Sequence, residues 1–232
     1  MLDKLIGPNA TQNQHYVLIA SILLGALYFL DGFEIGLPYP ADVVLKASGI
    51  VLLGALAWMR GYRWLAAGLF LGSAGDAFLA LQPTGDSIEA ILRSEALQQG
   101  LGIVSFGLGH IVYIGLFAAI LRQRSLVGGY GFLAAGGLAV FGAIMLIALQ
   151  PHFGELRIAA SIYNAIIMLM AILAVMGRAH PLAVIGALLF VVSDSVLAWR
   201  MFADALPWGG PVVWVTYYLG QAGICLGLAR ER

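Results

Sequence analysis

Leu126-Val-Gly-Gly-Tyr-Gly-Phe-Leu-Ala-Ala-Gly-Gly-Leu-Ala-Val-Phe-Gly-Ala-Ile-Met-Leu-Ile-Ala-Leu149 contains no charged residue. As an α-helix it reaches about 36 Å at 1.5 Å per residue, enough to cross about 30 Å of bilayer hydrocarbon. Similar runs flank it on both sides, near 15–31, 42–59, 64–82 and 98–121 before it and 155–177, 182–202 and 209–229 after it. The chain of 232 residues is 61% hydrophobic and 10% charged, and its mean hydropathy is +0.93. No ordinary water-soluble domain has that composition. The expected architecture is therefore all-α, a polytopic membrane bundle of eight transmembrane helices forming a single integral membrane domain over residues 1–232. Pro151, Pro181, Pro207 and Pro211 fall near span ends, where a missing amide donor is tolerated. The longest connection, Pro83 to Gln99, holds a segment from Ser87 to Leu97 that reads as a short interfacial helix.

Twelve basic residues balance twelve acidic ones. Basic residues are scattered through the loops, so no nucleic-acid footprint is present. Lys4, Arg60, Arg63, Arg122, Arg124, Arg178, Arg230 and Arg232 fall on one side of the spans, and only Arg93, Arg157 and Arg200 on the other. The positive-inside rule then places both termini in the cytoplasm, in a multi-pass protein of a bacterial inner membrane. Asp3 beside Lys4 and the lack of a small-residue cleavage site argue against a cleavable signal peptide. The single Cys225 has no disulfide or redox partner, and the four histidines are dispersed, so neither a metal nor an organic cofactor is expected.

Two aspartates interrupt the apolar runs in near-copies of one segment, Leu69-Phe-Leu-Gly-Ser-Ala-Gly-Asp-Ala-Phe-Leu-Ala-Leu81 and Leu188-Leu-Phe-Val-Val-Ser-Asp-Ser-Val-Leu-Ala-Trp199. A carboxylate at membrane depth costs at least a few kcal/mol, so Asp76 and Asp194 point to a working site. They lie four spans apart in the same orientation, which suggests two parallel four-helix halves, 1–124 and 125–232. Gly68, Gly72 and Gly75, spaced three and four residues apart, read as a stripe that lets helix backbones approach.

Counting along the spans puts Asp76 about 9 Å below the outer end of span 3 and Asp194 at a comparable depth. Lys46, Tyr163 with Asn164, and Tyr217 with Gln221 fall in the same outer half, while His110 approaches the midplane. Tyr217 with Gln221 and His110 with Tyr113 share helix faces, and Ser193 and Ser195 flank Asp194. One outward-opening pocket collects them. Bland roles exist beside the functional ones: Lys46 as a snorkelling surface cation, the tyrosines as interfacial aromatics, His110 as a donor to a carbonyl, and Asn164 and Gln221 as interhelical glue. Two carboxyls in one apolar pocket favour sharing a proton, which suits acid/base hydrolysis. No G-x-S-x-G, H-E-x-x-H or phosphate-cradling loop offers another chemistry. A proton-coupled transporter or a lipid-binding membrane protein would use the same carboxylates.

Leu71-Gly-Ser-Ala-Gly-Asp-Ala-Phe-Leu79, Phe106-Gly-Leu-Gly-His-Ile-Val-Tyr113, Gly186-Ala-Leu-Leu-Phe-Val-Val-Ser-Asp-Ser-Val-Leu-Ala198 and Thr216-Tyr-Tyr-Leu-Gly-Gln221, in this order, resemble the YhhN-like family of lysoplasmalogenase-type membrane hydrolases. That family's lysine is often followed by proline, whereas Ala47 follows Lys46 here. The resemblance implies hydrolysis of the vinyl ether bond of a lysolipid to a fatty aldehyde and a glycerophospho-alcohol. It makes Asp76 and Asp194 the catalytic pair, with His110, Tyr217 and Gln221 supporting them. Asp194, between two serines, is expected to be the better-solvated carboxylate. The implied partners are the lysolipid and the bilayer; the oligomeric state is left open.

Overall fold

The computed structural model describes residues 6–7, 10–124 and 129–231. Lys4, Leu126 to Gly128 and Arg232 lie outside the described residues. Among the described residues eight long helices follow one another: α1 (Gln12–Leu30), α2 (Ala41–Met59), α3 (Arg63–Ala80), α4 (Ile88–Gln123), α5 (Tyr130–Leu149), α6 (Arg157–Met176), α7 (Pro181–Phe202) and α8 (Gly209–Leu228). Their boundaries follow the apolar runs closely, with one correction. The segment after Ser87 is not a separate interfacial helix but the first turns of α4. Ser87 caps that helix by accepting from the Ala90 amide at 3.2 Å, and no proline or glycine interrupts the chain before Gly100. Thr11 and Gln14 form a reciprocal capping box at the start of α1. Pro181 opens α7, where its missing amide costs nothing.

Seven of the eight helices are long and apolar enough to cross a membrane by length and composition. The exception is α3, whose eighteen residues include Arg63 and Asp76. It is held between α2 and α4 and also touches α8. The surface is apolar: Leu133 and Ile147 on α5 are 72% and 75% exposed, Trp64 on α3 72% and Ile158 on α6 76%. Patches of that extent are unsuited to water and match a lipid-facing belt.

Polar side chains are instead found inside. Four buried serines each donate to a carbonyl of a neighbouring helix: Ser21 of α1 to Gly49 of α2 at 2.7 Å, Ser73 of α3 to Ala47 of α2 at 3.1 Å, Ser105 of α4 to Leu71 of α3 at 2.7 Å, and Ser193 of α7 to Val213 of α8 at 3.0 Å. With lipid rather than water outside, such bonds and close packing hold the helices together. Helix α8 occupies the interior, against α1, α2, α3 and α7, while α5 lies outside α6. This places α8 between the two helices that carry the aspartates.

Candidate active site

Asp76 is 3% exposed on α3, and Asp194 is half-buried on α7. Both line one cavity of about 620 Å³ and lie within electrostatic reach of each other. The cavity is bounded by the end of α1, the start of α2, the ends of α3 and α7 and the first halves of α4 and α8. All of these belong to the end of the bundle opposite the chain termini. Lys46, Ser193 and Tyr217 line the same space.

Each carboxylate receives a tyrosine hydroxyl on its Oδ2 atom. Tyr217 of α8 donates to Asp76 at 2.6 Å, a short O–H···O distance. Tyr163 of α6 donates to Asp194. Behind Tyr217 the network continues: its hydroxyl accepts from Gln221 Nε2 at 3.4 Å, and Gln221 Oε1 accepts from the Tyr113 hydroxyl at 2.8 Å. A buried amide and two buried hydroxyls are thus paired, and Asp76 terminates the chain of bonds. Tyr113 and Gln221 act behind the cavity rather than on its wall.

Glycines make this network fit. A Cβ on Gly68 would lie 2.5 Å from Tyr113 Cε1, one on Gly72 2.5 Å from Gln221 Nε2, and one on Gly75 2.6 Å from Phe106 Cδ2. The stripe brings backbones together as expected, since a Cβ on Gly109 of α4 would lie 3.0 Å from the Gly68 carbonyl oxygen, and it also opens room on α3 for three side chains of α4 and α8. Its spacing was legible in the sequence; its occupants were not.

The remaining expected residues separate. Asn164 lies beside a second, apolar cavity together with Tyr163, but its Nδ2 donates to the Gly142 carbonyl of α5 at 3.1 Å, so it ties helices together. His110 lines neither cavity. Its Nδ1 donates to the Phe106 carbonyl at 2.7 Å, and its ring packs edge-on against Tyr113, Tyr163 and Phe190. It buttresses Tyr163, the partner of Asp194. Asp194 is more exposed than Asp76, as expected, but not because of its serines. Ser193 donates to Val213 and Ser195 to Val191 within α7 at 2.7 Å; Asp194 is accessible because it borders both cavities.

Sequence reading missed Arg200, Tyr28 and Trp214, which also line the polar cavity. Trp214 lies one turn before Tyr217 on α8 and donates from Nε1 to the Gly25 carbonyl at 2.9 Å; that helical spacing was its available signal. Arg200 counted only as a boundary charge.

The fold and cavity define a polytopic membrane protein with a pair of carboxylates enclosed among its helices. The chain belongs to the YhhN family, whose sequence profile matches residues 41–228. Among similar proteins, lysoplasmalogenase TMEM86B of Rattus norvegicus is 30% identical over 218 residues, covering 90% of this chain and 82% of that protein. Lysoplasmalogenase TMEM86B of Homo sapiens is 32% identical over 203 residues, 81% of this chain and 75% of that protein. Lysoplasmalogenase TMEM86A of Homo sapiens is 27% identical over 224 residues, 89% and 85% respectively. No solved structure matches the chain.

Proposed function

We propose that this protein is a membrane-embedded hydrolase that cleaves the vinyl ether bond of a lysoplasmalogen, using Asp76 and Asp194 as an acid/base pair. The observation that carries the reading is the convergence of both carboxyls in one cavity, each oriented by a tyrosine hydroxyl. The lysoplasmalogenase names of the relatives supply the substrate class.

A vinyl ether is activated by adding a proton to the alkene carbon remote from oxygen. One carboxylic acid delivers it, leaving an oxocarbenium ion with positive charge shared between carbon and oxygen. The carboxylates, held in place by the tyrosine hydroxyls, stabilise that cation, and such preorganised electrostatics is commonly the largest catalytic contribution. Water adds to the cationic carbon and gives its proton to a carboxylate. The resulting hemiacetal collapses to aldehyde and glycerophospho-alcohol, and the proton balance closes with one water consumed.

The test is aldehyde release from 1-alkenyl-glycerophosphoethanolamine by purified protein in detergent. Asp76→Asn and Asp194→Asn are each expected to lower the rate by about 10²–10⁴, the usual weight of a general acid or base, with unchanged chromatographic and thermal profiles. Wild-type protein that releases no aldehyde, or either variant at full rate, overturns the proposal. Movement of solute or protons across sealed liposomes without substrate consumption would mark a transporter instead.

A further inference from the structure

The polar cavity is not the only space that reaches Asp194. A second cavity, of about 70 Å³, lies among α5, α6 and α7 and is closed by Leu79 of α3 and Ile103 and Phe106 of α4, with apolar walls apart from a few groups such as Tyr163 and Asn164. The two spaces share five residues, Leu79, Phe106, Asp194, Leu197 and Met201, of which only Asp194 is ionisable. Asp194 therefore stands on the boundary between a polar chamber of about 620 Å³ and an apolar slot. A volume of about 70 Å³ is little more than the share of two waters in the liquid, at about 30 Å³ each. A fatty chain thus has to part the walls. Those walls include Met145, Met168 and Met201, whose unbranched thioethers adapt to irregular guests, and α7 packs on α6 far less extensively than on α8.

On the other side, the chamber is lined by two cations, Lys46 and Arg200, close enough to influence each other. Asp76 and Asp42 also lie within electrostatic reach of Lys46. Arg200 has a built seat: a Cβ on Gly209 would lie 3.1 Å from Arg200 Nε, and one on Gly210 3.7 Å from Nη1. Two consecutive glycines let the guanidinium lie across the first turn of α8, the positive end of that helix. Glu95 also borders the chamber and suits a cationic headgroup amine.

We propose that the site is divided into two compartments, with Arg200 assisted by Lys46 binding the phosphate of a lysolipid headgroup and the slot among α5, α6 and α7 receiving its hydrocarbon chain. The assignment rests on the hydrolase reading above and specifies how the substrate lies. In a lysoplasmalogen the vinyl ether joins the chain to the glycerol, so the bond to be cut lies where apolar becomes polar. Asp194 occupies that position in the protein. Arg200 lies six residues further along α7, about 9 Å at helical rise, and lines the same chamber as Asp194.

The test uses saturated ethers, which bind without being cleaved. Binding of 1-hexadecyl-glycerophosphoethanolamine and 1-hexadecylglycerol is compared for wild type and Arg200→Gln in detergent. The variant should lose about tenfold in affinity for the phospholipid, the weight of one charge-assisted hydrogen bond, and less than about twofold for the alkylglycerol. Ala198→Phe, or Ala198→Leu if the larger side chain unfolds the protein, should weaken hexadecyl lipids more than their decyl counterparts, whatever the headgroup. Equal losses for both headgroups with Arg200→Gln, or for both chain lengths with the slot variant, overturn the assignment. Aldehyde release, measured separately, keeps the two ideas apart. The expected binding pattern without hydrolysis removes the hydrolase reading alone, and hydrolysis without the pattern removes the compartments alone.

Discussion

Asp76 is oriented by a bond network whose direction can be followed atom by atom. Tyr113 donates to Gln221, Gln221 donates to Tyr217, and Tyr217 donates to Asp76. Because Gln221 supplies a hydrogen to the Tyr217 oxygen, that hydroxyl keeps its own hydrogen aimed at the carboxyl. Tyr217→Phe should therefore do two things at once: remove the donor to Asp76 and leave the buried Gln221 amide unpaired. An unpaired buried group costs about 1–3 kcal/mol, so both the aldehyde-release rate and the Tm should fall. Tyr163→Phe should lower the rate with a smaller fall in Tm, because only its bond to Asp194 is seen from that hydroxyl. Equal effects of the two substitutions on Tm would contradict this account of the network.

At the level of helices, glycine serves two different purposes. On α3 it admits side chains, as at Gly72 beneath the Gln221 amide. Between α7 and α8 it admits backbone: a Cβ on Gly186 would lie 2.6 Å from the Ile224 nitrogen and 2.7 Å from the Gly220 oxygen. A side-chain terminus can move but a packed backbone cannot without separating the helices, and overpacking costs about 1–3 kcal/mol. Gly186→Ala is thus expected to lower the Tm by several degrees. Gly72→Ala should cost less stability yet slow aldehyde release about tenfold, the effect of about 1.4 kcal/mol on a barrier, by displacing Gln221 from Tyr217. Thermal unfolding and rate measurements on both variants separate the two roles.

For the molecule as a whole, the cavity opens at the end remote from the termini, and the positive-inside count predicts that this end faces away from the cytoplasm. Reporter fusions after Arg124 and at the C-terminus should both report cytoplasm, and one in the Pro83–Gln98 region should not. The two-half reading remains a proposal with support from one pairing: a shift of four helices carries the α2–α8 contact onto α4–α6. The tyrosines do not follow that shift. Asp76 takes its partner from α8 and Asp194 from α6, so the two carboxyls occupy different surroundings within similar segments.

Helix number, helix limits and the two aspartates were readable because a bilayer imposes local rules. Each span must be about twenty apolar residues long, and any carboxylate within it stands out. The common location of Lys46, Asp76, Asp194 and Tyr217 at one end of the bundle followed from depth counting alone. The partners of those residues could not be read locally. Depth fixes position along a helix axis, whereas hydrogen bonding depends on which helices are neighbours and how each is rotated. Tertiary packing therefore decided that Asn164 bonds to a carbonyl of α5, that His110 supports Tyr163 from behind, and that Gly72 houses a glutamine. It also brought Arg200 over Gly209 and left Asp194 at the meeting of two cavities whose walls together draw on all eight helices.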